Sequence, residues 1–262
     1  MDDPMDFLTA VVLGIVEGIS EFLPISSTGH LMLTSHLLGL APTDFLKSFE
    51  IAIQGGAILA VVVLYWEKLL VNFGVMKRIA LAFIPTGIVG FALYKVIKGY
   101  LLGSNSVVVW SLLIGGVFLV AFELWHRGKE GSASEVADIS YKQSFLIGLF
   151  QAIAVIPGVS RAGATIVGGL LLGLRREVIV EFSFLLAVPT MLAAMGYDLL
   201  KNASQFSLDQ LNFLAAGFVF SFVVALLSIK FLLHFIRTHT FIPFGIYRIV
   251  FALSWFMFLA AL

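Results

Sequence analysis

The sequence predicts an all-α polytopic membrane protein with an inverted-topology repeat, in which each half is one re-entrant helical hairpin plus three transmembrane helices. The first observation behind this prediction is composition: 60% of the 262 residues are hydrophobic, only 12% are charged and the mean hydropathy is +1.04. Soluble domains carry about 25% charged residues, so this chain has too few charges to cover a surface in water. The second observation is a polar motif that recurs in the two halves, and the third is the distribution of basic residues between the predicted loops.

Charge and cysteine content exclude several other classes. The 16 basic residues balance the 16 acidic ones, which gives no support for a nucleic-acid partner. Because the chain has no cysteine, disulfides, thiolate metal sites and cysteine nucleophiles are excluded. The first residues are acidic where a cleavable signal would need basic ones, so we expect no signal peptide.

Six segments are apolar and long enough to cross about 30 Å of hydrocarbon as helices. They lie at 49–66, 78–95, 105–125, 182–200, 211–233 and 243–261. The segments 5–40 and 143–174 differ, because each is broken in its middle, at Pro24 or at Pro157-Gly158. A proline removes a backbone donor and blocks the helix that it interrupts. We therefore predict two helix–break–helix hairpins that enter and leave the membrane on the same side, with each break buried in protein or lining a wet cavity.

The two predicted hairpins carry a near-repeat of polar residues. The first copy reads GIVEGISEFLPISSTGHL, and the second, 134 residues later, reads GLFQAIAVIPGVSRAGAT. Without gaps, Glu17 aligns with Gln151, Ser26 with Ser160 and Gly29 with Gly163. Matched hydrophobic segments that are broken by glycine or proline, in corresponding halves, indicate a binding site near the middle of the membrane.

The chain is interpreted as one integral membrane domain, with repeat 1 at 5–125, a linker at 126–142 and repeat 2 at 143–262. Three spans are an odd number, so the second half starts on the opposite side of the membrane and the repeat is inverted. One side collects ten basic residues: Lys68, Lys77, Arg78, Arg127, Lys129, Lys142, Arg175, Arg176, Lys230 and Arg237. The other side has four: Lys47, Lys95, Lys98 and Lys201. The positive-inside rule then places the first side in the cytoplasm, and both termini and the mouth of the first hairpin on the extracytoplasmic side.

Two glutamates precede the first break. Glu17 and Glu21 are spaced i, i+4, so a helix puts both carboxylates on one face. An ionisable residue at membrane depth costs about 2.5–3.5 kcal/mol on insertion scales, and a functional role is the default expectation. Two adjacent anions need a shared proton, an arginine or a divalent cation. The alternative is a structural pair at a helix end that reaches interfacial water.

The residues after the first break predict one side of an anion site. Pro24 is followed by Ser26, Ser27, Thr28 and His30. Either serine would also make a natural N-cap for the helix that resumes here. Two serines, a threonine and a histidine are more polar side chains than capping requires.

The second break predicts the other side of the anion site. It supplies Ser160, which also suits an N-cap, and then Arg161, Gly163 and Thr165. Arg161 is the only basic residue placed deep in the membrane, and Arg248 is interpreted as an ordinary charge near a span boundary. Two helix N-termini should therefore meet near the midplane from opposite sides. Their free N–H groups favour an anion, and Arg161 adds a planar, bidentate donor that suits phosphate.

The glutamate pair would repel that anion unless a divalent cation lies between them. Mg²⁺ and Ca²⁺ take oxygen ligands, and Mg²⁺ is typically held by one or two carboxylates plus substrate phosphates. Serine and histidine within reach supply a nucleophile or a proton carrier. The residues therefore predict metal-assisted phosphoryl transfer on a membrane-embedded phosphate ester. The cation, Mg²⁺ or Ca²⁺, would be shared between Glu17, Glu21 and the substrate.

The two motifs closely resemble the signatures of bacterial undecaprenyl-diphosphate phosphatases of the bacitracin-resistance type. The first is Glu-x-x-x-Glu-Phe-Leu-Pro-x-Ser-Ser-Thr-Gly-His, from Glu17 to His30, and the second is Pro-Gly-x-Ser-Arg-x-Gly-x-Thr, from Pro157 to Thr165. The resemblance covers essentially the whole chain. It implies hydrolysis of undecaprenyl diphosphate to undecaprenyl phosphate and inorganic phosphate, with a divalent cation and with the site open to the extracytoplasmic side. This reaction recycles the carrier lipid of peptidoglycan synthesis and confers bacitracin resistance.

The chain departs from that family at one position of the second motif. The family commonly has serine after the arginine, where this chain has Ala162. A hydroxyl is therefore absent at this position, although the serine and the arginine before it are present.

We predict that the catalytic residues are Glu17, Glu21, Ser27, His30 and Arg161. The residues predicted to bind the diphosphate are Ser26, Thr28, Ser160, Gly163 and Thr165. Ser27 is the preferred nucleophile or nucleophile-orienting group, with His30 one helical turn on and able to move its proton. Attack by His30 itself is the alternative, because imidazole can also form a covalent phospho-intermediate.

The competing interpretation from another class is a secondary transporter or flippase for a phosphorylated lipid or anion. Inverted repeats with broken helices are also typical of transporters, and a fold alone does not exclude that function. The crowding of the five predicted catalytic side chains favours an enzyme, because binding alone needs less chemistry. The choice of cation, transport of the lipid product across the membrane and a homodimeric state are left open.

Overall fold

The computed structural model describes residues 5–93, 104–126, 131, 133–202 and 210–261, and every regular element in these ranges is helical. Ten α-helices are present there: α1 (Phe7–Ser20), α2 (Ser27–Leu37), α3 (Asp44–Leu70), α4 (Phe73–Ala92), α5 (Asn105–His126), α6 (Tyr141–Ala152), α7 (Arg161–Leu171), α8 (Arg176–Asn202), α9 (Leu211–Phe235) and α10 (Ile242–Ala261). Short 3₁₀ turns lie at Val136–Asp138 and Ile153–Val155. The prediction of an all-α protein is confirmed.

Five helices within the described ranges are long and apolar enough to cross a membrane. They are Phe45–Leu70, Phe73–Ala92, Asn105–His126, Arg176–Tyr197 and Leu211–Phe235, and they correspond to five of the six predicted spans. The sixth predicted span, 243–261, coincides with α10, but its described apolar stretch Ile242–Phe258 is shorter than the other five. Residues 94 and 95, the end of the predicted span 78–95, lie outside the described ranges. The chain is a multi-pass membrane protein.

The two predicted hairpins are helix–break–helix units. At 1.5 Å per residue, α1 with its 14 residues is about 21 Å long and α2, α6 and α7 are shorter. None of the four reaches the roughly 30 Å of a bilayer core. The first break occupies residues 21–26 and contains Pro24, and the second contains Pro157-Gly158. At Gly158 the φ angle is +88°, and an added Cβ would lie 2.5 Å from the Val108 carbonyl oxygen, so both the backbone and the space require glycine.

Part of the predicted linker 126–142 lies within the described ranges. Residues 127–130 and 132 of the linker lie outside them, while Ala133, Val136 and Ile139 are buried in the main apolar cluster. A capping box between Glu135 and Asp138 closes the short 3₁₀ turn. This part of the linker is therefore packed against the helices.

Each hairpin packs on a helix of the other predicted half. Helix α1 lies along α9, and α6 lies along α4. Helix α3 packs on α9 and α8, α4 packs on α8, and α5 packs on α10. The contacts of one half with the other therefore hold both breaks in place.

Glycine lets the backbones of α1 and α9 approach each other closely. A Cβ added to Gly14 would lie 2.4 Å from the carbonyl oxygen of Gly217. The aligned glycine of the second hairpin is Gly148, where a Cβ would lie 2.1 Å from the carbonyl oxygen of Ala82 in α4. Small residues let membrane helices approach this closely. The spacing of α1 from α9 fixes where the glutamates of α1 stand.

We expect Gly14→Ala to destabilise the protein by about 1–3 kcal/mol, because the added methyl group forces α1 away from α9. The measurement is thermal unfolding in detergent. The matched control is Gly90→Ala in α4, where an added Cβ meets nothing within 4 Å. The control should be as stable as the parent or slightly more stable, because alanine favours the helix over glycine. Equal unfolding temperatures for the two variants would contradict the close-approach interpretation.

Candidate functional site

Three of the predicted catalytic side chains form one hydrogen-bonded network between the two breaks. Ser27 Oγ donates to Glu21 Oε2 at 2.5 Å, and Arg161 Nη2 donates to Glu21 Oε1 at 2.9 Å. Glu21 belongs to the first hairpin, and Arg161, 140 residues later in the chain, belongs to the second. The structure therefore brings together the carboxylate, hydroxyl and guanidinium groups that the motifs predict.

Helix ends place these three groups. Glu21 is the C-cap of α1, Ser27 is the first residue of α2, and Arg161 is the first residue of α7. The side chains of Glu21 and Arg161 are only 5% and 12% exposed, so this ion pair is largely screened from water and lipid. Arg161 Nη1 also donates to the Ser183 carbonyl oxygen at 3.1 Å. An ion pair of this kind lowers the energetic cost of the two charges, each of which would be unfavourable alone at membrane depth.

Glu17 lies one turn before Glu21 and is fully buried. Neither of its carboxylate oxygens has a hydrogen-bond partner within the described part of the chain. A buried carboxylate without partners is costly unless it carries a proton or contacts a cation. Of the three partners expected for the pair, a shared proton, an arginine or a divalent cation, the structure shows an arginine, and Arg161 pairs with Glu21. A proton or a cation at Glu17 stays a prediction.

His30 contacts the first break through the backbone of Ser26. Its Nδ1 lies 2.8 Å from the Ser26 carbonyl oxygen, and its Nε2 lies 2.8 Å from the Tyr247 hydroxyl oxygen. A carbonyl only accepts, so Nδ1 carries the proton, and in the neutral ring Nε2 accepts from Tyr247. The ring also stacks on Phe251, with centroids 4.2 Å apart. In this arrangement the Ser27 hydroxyl is hydrogen-bonded to Glu21, and the two ring nitrogens of His30 are hydrogen-bonded to Ser26 and Tyr247.

Ser26 does not cap α2 in the expected way. It occupies the N-cap position, but its side chain makes no cap hydrogen bond. Its φ of 73° is the only positive φ among the described residues other than glycine. Such a conformation costs about 1–3 kcal/mol and is concentrated at functional sites. The expectation that Ser26 or Ser27 caps α2 is wrong, because the Ser26 side chain makes no cap bond and the Ser27 hydroxyl donates to Glu21.

The remaining predicted substrate-binding residues differ in their surroundings. Ser160 caps α7, with its Oγ accepting from the Gly163 backbone N–H at 3.1 Å, as its motif position predicts. Thr165 Oγ1 lies 2.6 Å from Ser183 Oγ and also donates within its own helix turn. Thr28 is exposed in the first turn of α2. Binding of the diphosphate by these residues stays a prediction.

Arg248 is not the boundary charge that the sequence suggested. It is 3% exposed and donates to four backbone carbonyls, two of which belong to the hairpin breaks. Sequence analysis also missed Tyr247, the partner of His30. Both residues lie in the last span, and a charge inside an apolar segment was the available signal for Arg248.

The carboxylates fit a divalent cation in part. Within the described ranges, no three histidine, cysteine, aspartate or glutamate side chains stand close enough to hold a metal by themselves. The pair Glu17 and Glu21 offers oxygen ligands, and the oxygens of Glu17 have no other partner there. This donor set suits a hard cation whose other ligands are water and substrate phosphate, which is the usual manner of Mg²⁺ binding.

Comparison with known proteins covers nearly the whole chain. A family profile described as bacitracin resistance protein BacA matches residues 10–254. The undecaprenyl-diphosphatase of Aquifex aeolicus is 56% identical over 244 residues, which is 93% of this chain and 95% of the relative. The undecaprenyl-diphosphatase of Sulfurihydrogenibium sp. is 54% identical over 253 residues, 97% of this chain and 99% of the relative. That of Campylobacter jejuni is 47% identical over 253 residues, 96% of this chain and 94% of the relative.

Proposed function

The chain belongs to the family of the bacitracin resistance protein BacA, and from this premise we infer that it is a membrane-embedded undecaprenyl-diphosphate phosphatase. It hydrolyses undecaprenyl diphosphate to undecaprenyl phosphate and inorganic phosphate, and so returns the carrier lipid to peptidoglycan synthesis and confers bacitracin resistance. The observation that carries this function is the network of Ser27, Glu21 and Arg161, which joins a nucleophile, a base and a phosphate-binding cation across the two breaks.

The geometry supports attack by Ser27 on the terminal phosphorus. Its hydroxyl already donates to Glu21, so Glu21 takes the proton as the Ser27 oxygen bonds to phosphorus. The bond from phosphorus to the bridging oxygen breaks, and undecaprenyl phosphate leaves. Water then attacks the phosphorus of the phosphoserine, and the bond from phosphorus to the serine oxygen breaks. Glu21 returns its proton to the leaving serine oxygen, and both protons of the water leave with inorganic phosphate.

Arg161 neutralises the charge on the transferring phosphoryl group. A guanidinium has five N–H donors, and two of those of Arg161 are bonded to Glu21 and Ser183. The others are available to phosphate oxygens, in the planar fork that suits them. The backbone N–H groups at the starts of α2 and α7 add partial positive charge at the same place.

A divalent cation belongs to the proposal, with Glu17 and Glu21 as its protein ligands. Mg²⁺ or Ca²⁺ bound there would polarise a phosphate oxygen and offset the repulsion between the carboxylates and the diphosphate. The buried oxygens of Glu17 support this assignment, because they lack any other described partner.

We further propose that the two halves form an inverted-topology repeat in the bacterial cytoplasmic membrane. Three spans separate the two hairpins, and the packing of α1 on α9 is matched by that of α6 on α4. The basic residues accumulate on one side, which the positive-inside rule assigns to the cytoplasm. The first hairpin and the reacting phosphate then face the extracytoplasmic side.

The inverted repeat is tested by labelling single cysteines in this cysteine-free chain. We expect a cysteine at Ser134, in the linker, and a cysteine added at the C-terminus to react with a membrane-impermeant maleimide from opposite sides of oriented vesicles. Both positions should react once the vesicles are permeabilised. Labelling of both from the same side would exclude the inversion.

The phosphatase function is tested by phosphate release from undecaprenyl diphosphate with purified protein in detergent. An enzyme releases phosphate there, whereas a transporter or flippase that moves the lipid between leaflets does not, because no membrane separates two compartments. Ser134→Ala, an exposed linker position, is the matched control for active-site serine variants and should retain the activity of the parent. Absence of phosphate release with and without added Mg²⁺ or Ca²⁺ would overturn the proposed function.

A further inference from the structure

Arg248 lies in α10 and connects three segments of backbone. Its Nη1 donates to the Pro24 carbonyl oxygen at 3.3 Å, and its Nη2 donates to the Gly158 carbonyl oxygen at 3.2 Å. Nη2 also donates to Ser111 at 3.0 Å and Nε to Leu112 at 3.3 Å, both carbonyls of α5. One side chain thus holds the first break, the second break and a transmembrane helix together.

The two breaks are held at equivalent points. Pro24 and Gly158 are 134 residues apart, which is the offset that aligns the two motifs. Each carbonyl stands three residues before a reacting group, Pro24 before Ser27 and Gly158 before Arg161. The distance between these two carbonyls therefore bears directly on the distance between the nucleophile and the phosphate-binding cation.

The charge of Arg248 is not accounted for by an ion pair. Among the side chains that the structure describes, no carboxylate lies within ion-pair distance of it. A charged group at membrane depth is costly and is retained where it has a function. Four neutral carbonyl dipoles stabilise it here, two of them released from helix hydrogen bonding by the breaks.

Helix α5 is shaped for this guanidinium. A Cβ added to Gly115 would lie 2.2 Å from Arg248 Nη2, so any side chain at this position would displace the group. Lysine at 248 would not replace it, because an ammonium is a compact donor without the planar fork that reaches carbonyls on three segments.

We propose that Arg248 is a positioning residue for the phosphatase reaction, which sets the separation of the two breaks and so aligns Ser27 with Arg161. This inference rests on the proposed function. It also predicts a measurable change in geometry that does not depend on activity.

The kinetic test compares Arg248→Lys and Gly115→Ala with the control Gly90→Ala, each normalised to folded, monodisperse protein. We expect kcat to fall roughly 10- to 100-fold in the first two, because misplacement of the reacting groups acts mainly on the transition state. KM should change much less, since Ser27, Glu21 and Arg161 are all retained. Gly115→Ala keeps the arginine and disturbs only its position, so it remains informative if Arg248→Lys folds poorly. Values of kcat within twofold of the parent for both variants would overturn the proposal.

The geometric test places spin labels at Leu38 and Leu171, which are 40% and 42% exposed near the ends of the two re-entrant helices α2 and α7. We expect one narrow distance distribution in the parent and in Gly90→Ala, and a broader or shifted one in Arg248→Lys and Gly115→Ala. An unchanged distribution in both Arg248→Lys and Gly115→Ala would overturn the positioning role. If the parent releases no phosphate, the proposed function fails, whereas the distance measurement still decides whether Arg248 sets the spacing.

Discussion

Ser27→Ala is expected to lower kcat by on the order of 10³-fold or more, because it removes the atom that bonds to phosphorus. The described geometry favours Ser27 over His30 for this step. The Ser27 hydroxyl is 2.5 Å from the carboxylate that would take its proton, whereas both nitrogens of His30 are bonded to Ser26 and Tyr247. His30→Ala should therefore cost less, since it loosens the Ser26 backbone next to the nucleophile without removing the attacking group.

The measurement is rapid-quench mass spectrometry of the parent and of both variants during the first turnover. A phosphoserine at Ser27 survives an acid quench, whereas a phosphohistidine is lost in acid and retained in alkali. We expect an acid-stable phosphorylated peptide that contains Ser27, absent from Ser27→Ala and present in His30→Ala. The Ser134→Ala control should match the parent. Near-normal turnover of Ser27→Ala, or an acid-labile adduct on His30, would transfer the nucleophilic role to the histidine.

Glu21→Gln should lower activity more than tenfold, about 1.4 kcal/mol of barrier or more. Its carboxylate accepts from both Ser27 and Arg161, so the amide would remove the proton acceptor of one and the counter-charge of the other. If the carboxylate pair also binds a cation, chelation with EDTA should abolish phosphate release by the parent, and Mg²⁺ or Ca²⁺ should restore it.

The control for charge removal is Glu67→Gln, because Glu67 is exposed at the end of α3 and far along the chain from both breaks. It should retain the activity and the metal dependence of the parent. Glu17→Gln distinguishes a Glu17 that binds a metal from one that carries a proton. If Glu17 is a metal ligand, the variant should need a higher cation concentration for activity. Full parental activity in EDTA would exclude the metal, while parental activity of Glu21→Gln would exclude Glu21 as the base.

Local sequence patterns were sufficient for the hairpins and for the central network. Pro24 and Pro157-Gly158 favour a break in an apolar helix, and both breaks are found at these residues. Proline alone does not decide this, because Pro85 and Pro189 lie inside α4 and α8. The glutamate pair and Arg161 are ionisable groups in apolar surroundings, so energetic cost alone indicates that each needs a partner. An arginine was one of three partners expected for the glutamates, and the structure pairs Arg161 with Glu21.

Contacts made by the last helix could not be derived in the same way. The bond between His30 and Tyr247 joins residues 217 positions apart, and its formation depends on how α10 packs against α5 and α2. Arg248 seemed a boundary charge, because its acceptors are backbone carbonyls, which every residue has and no motif marks. The missing cap at Ser26 could not be derived either, because a positive φ is not a local preference of serine.

Each hairpin packs on a helix of the other half, and this arrangement constrains the assembly of the protein during its synthesis. Gly14 of α1 packs against the backbone of Gly217 in α9, and Glu21 forms an ion pair with Arg161, so the amino-terminal half contains neither partner. While the ribosome is still synthesising the second half, the first hairpin carries two acidic side chains and an uncovered glycine face at the membrane. A chain arrested after the linker should therefore be recognised as unassembled and degraded, and the two halves expressed as separate polypeptides should be stable only when both are present.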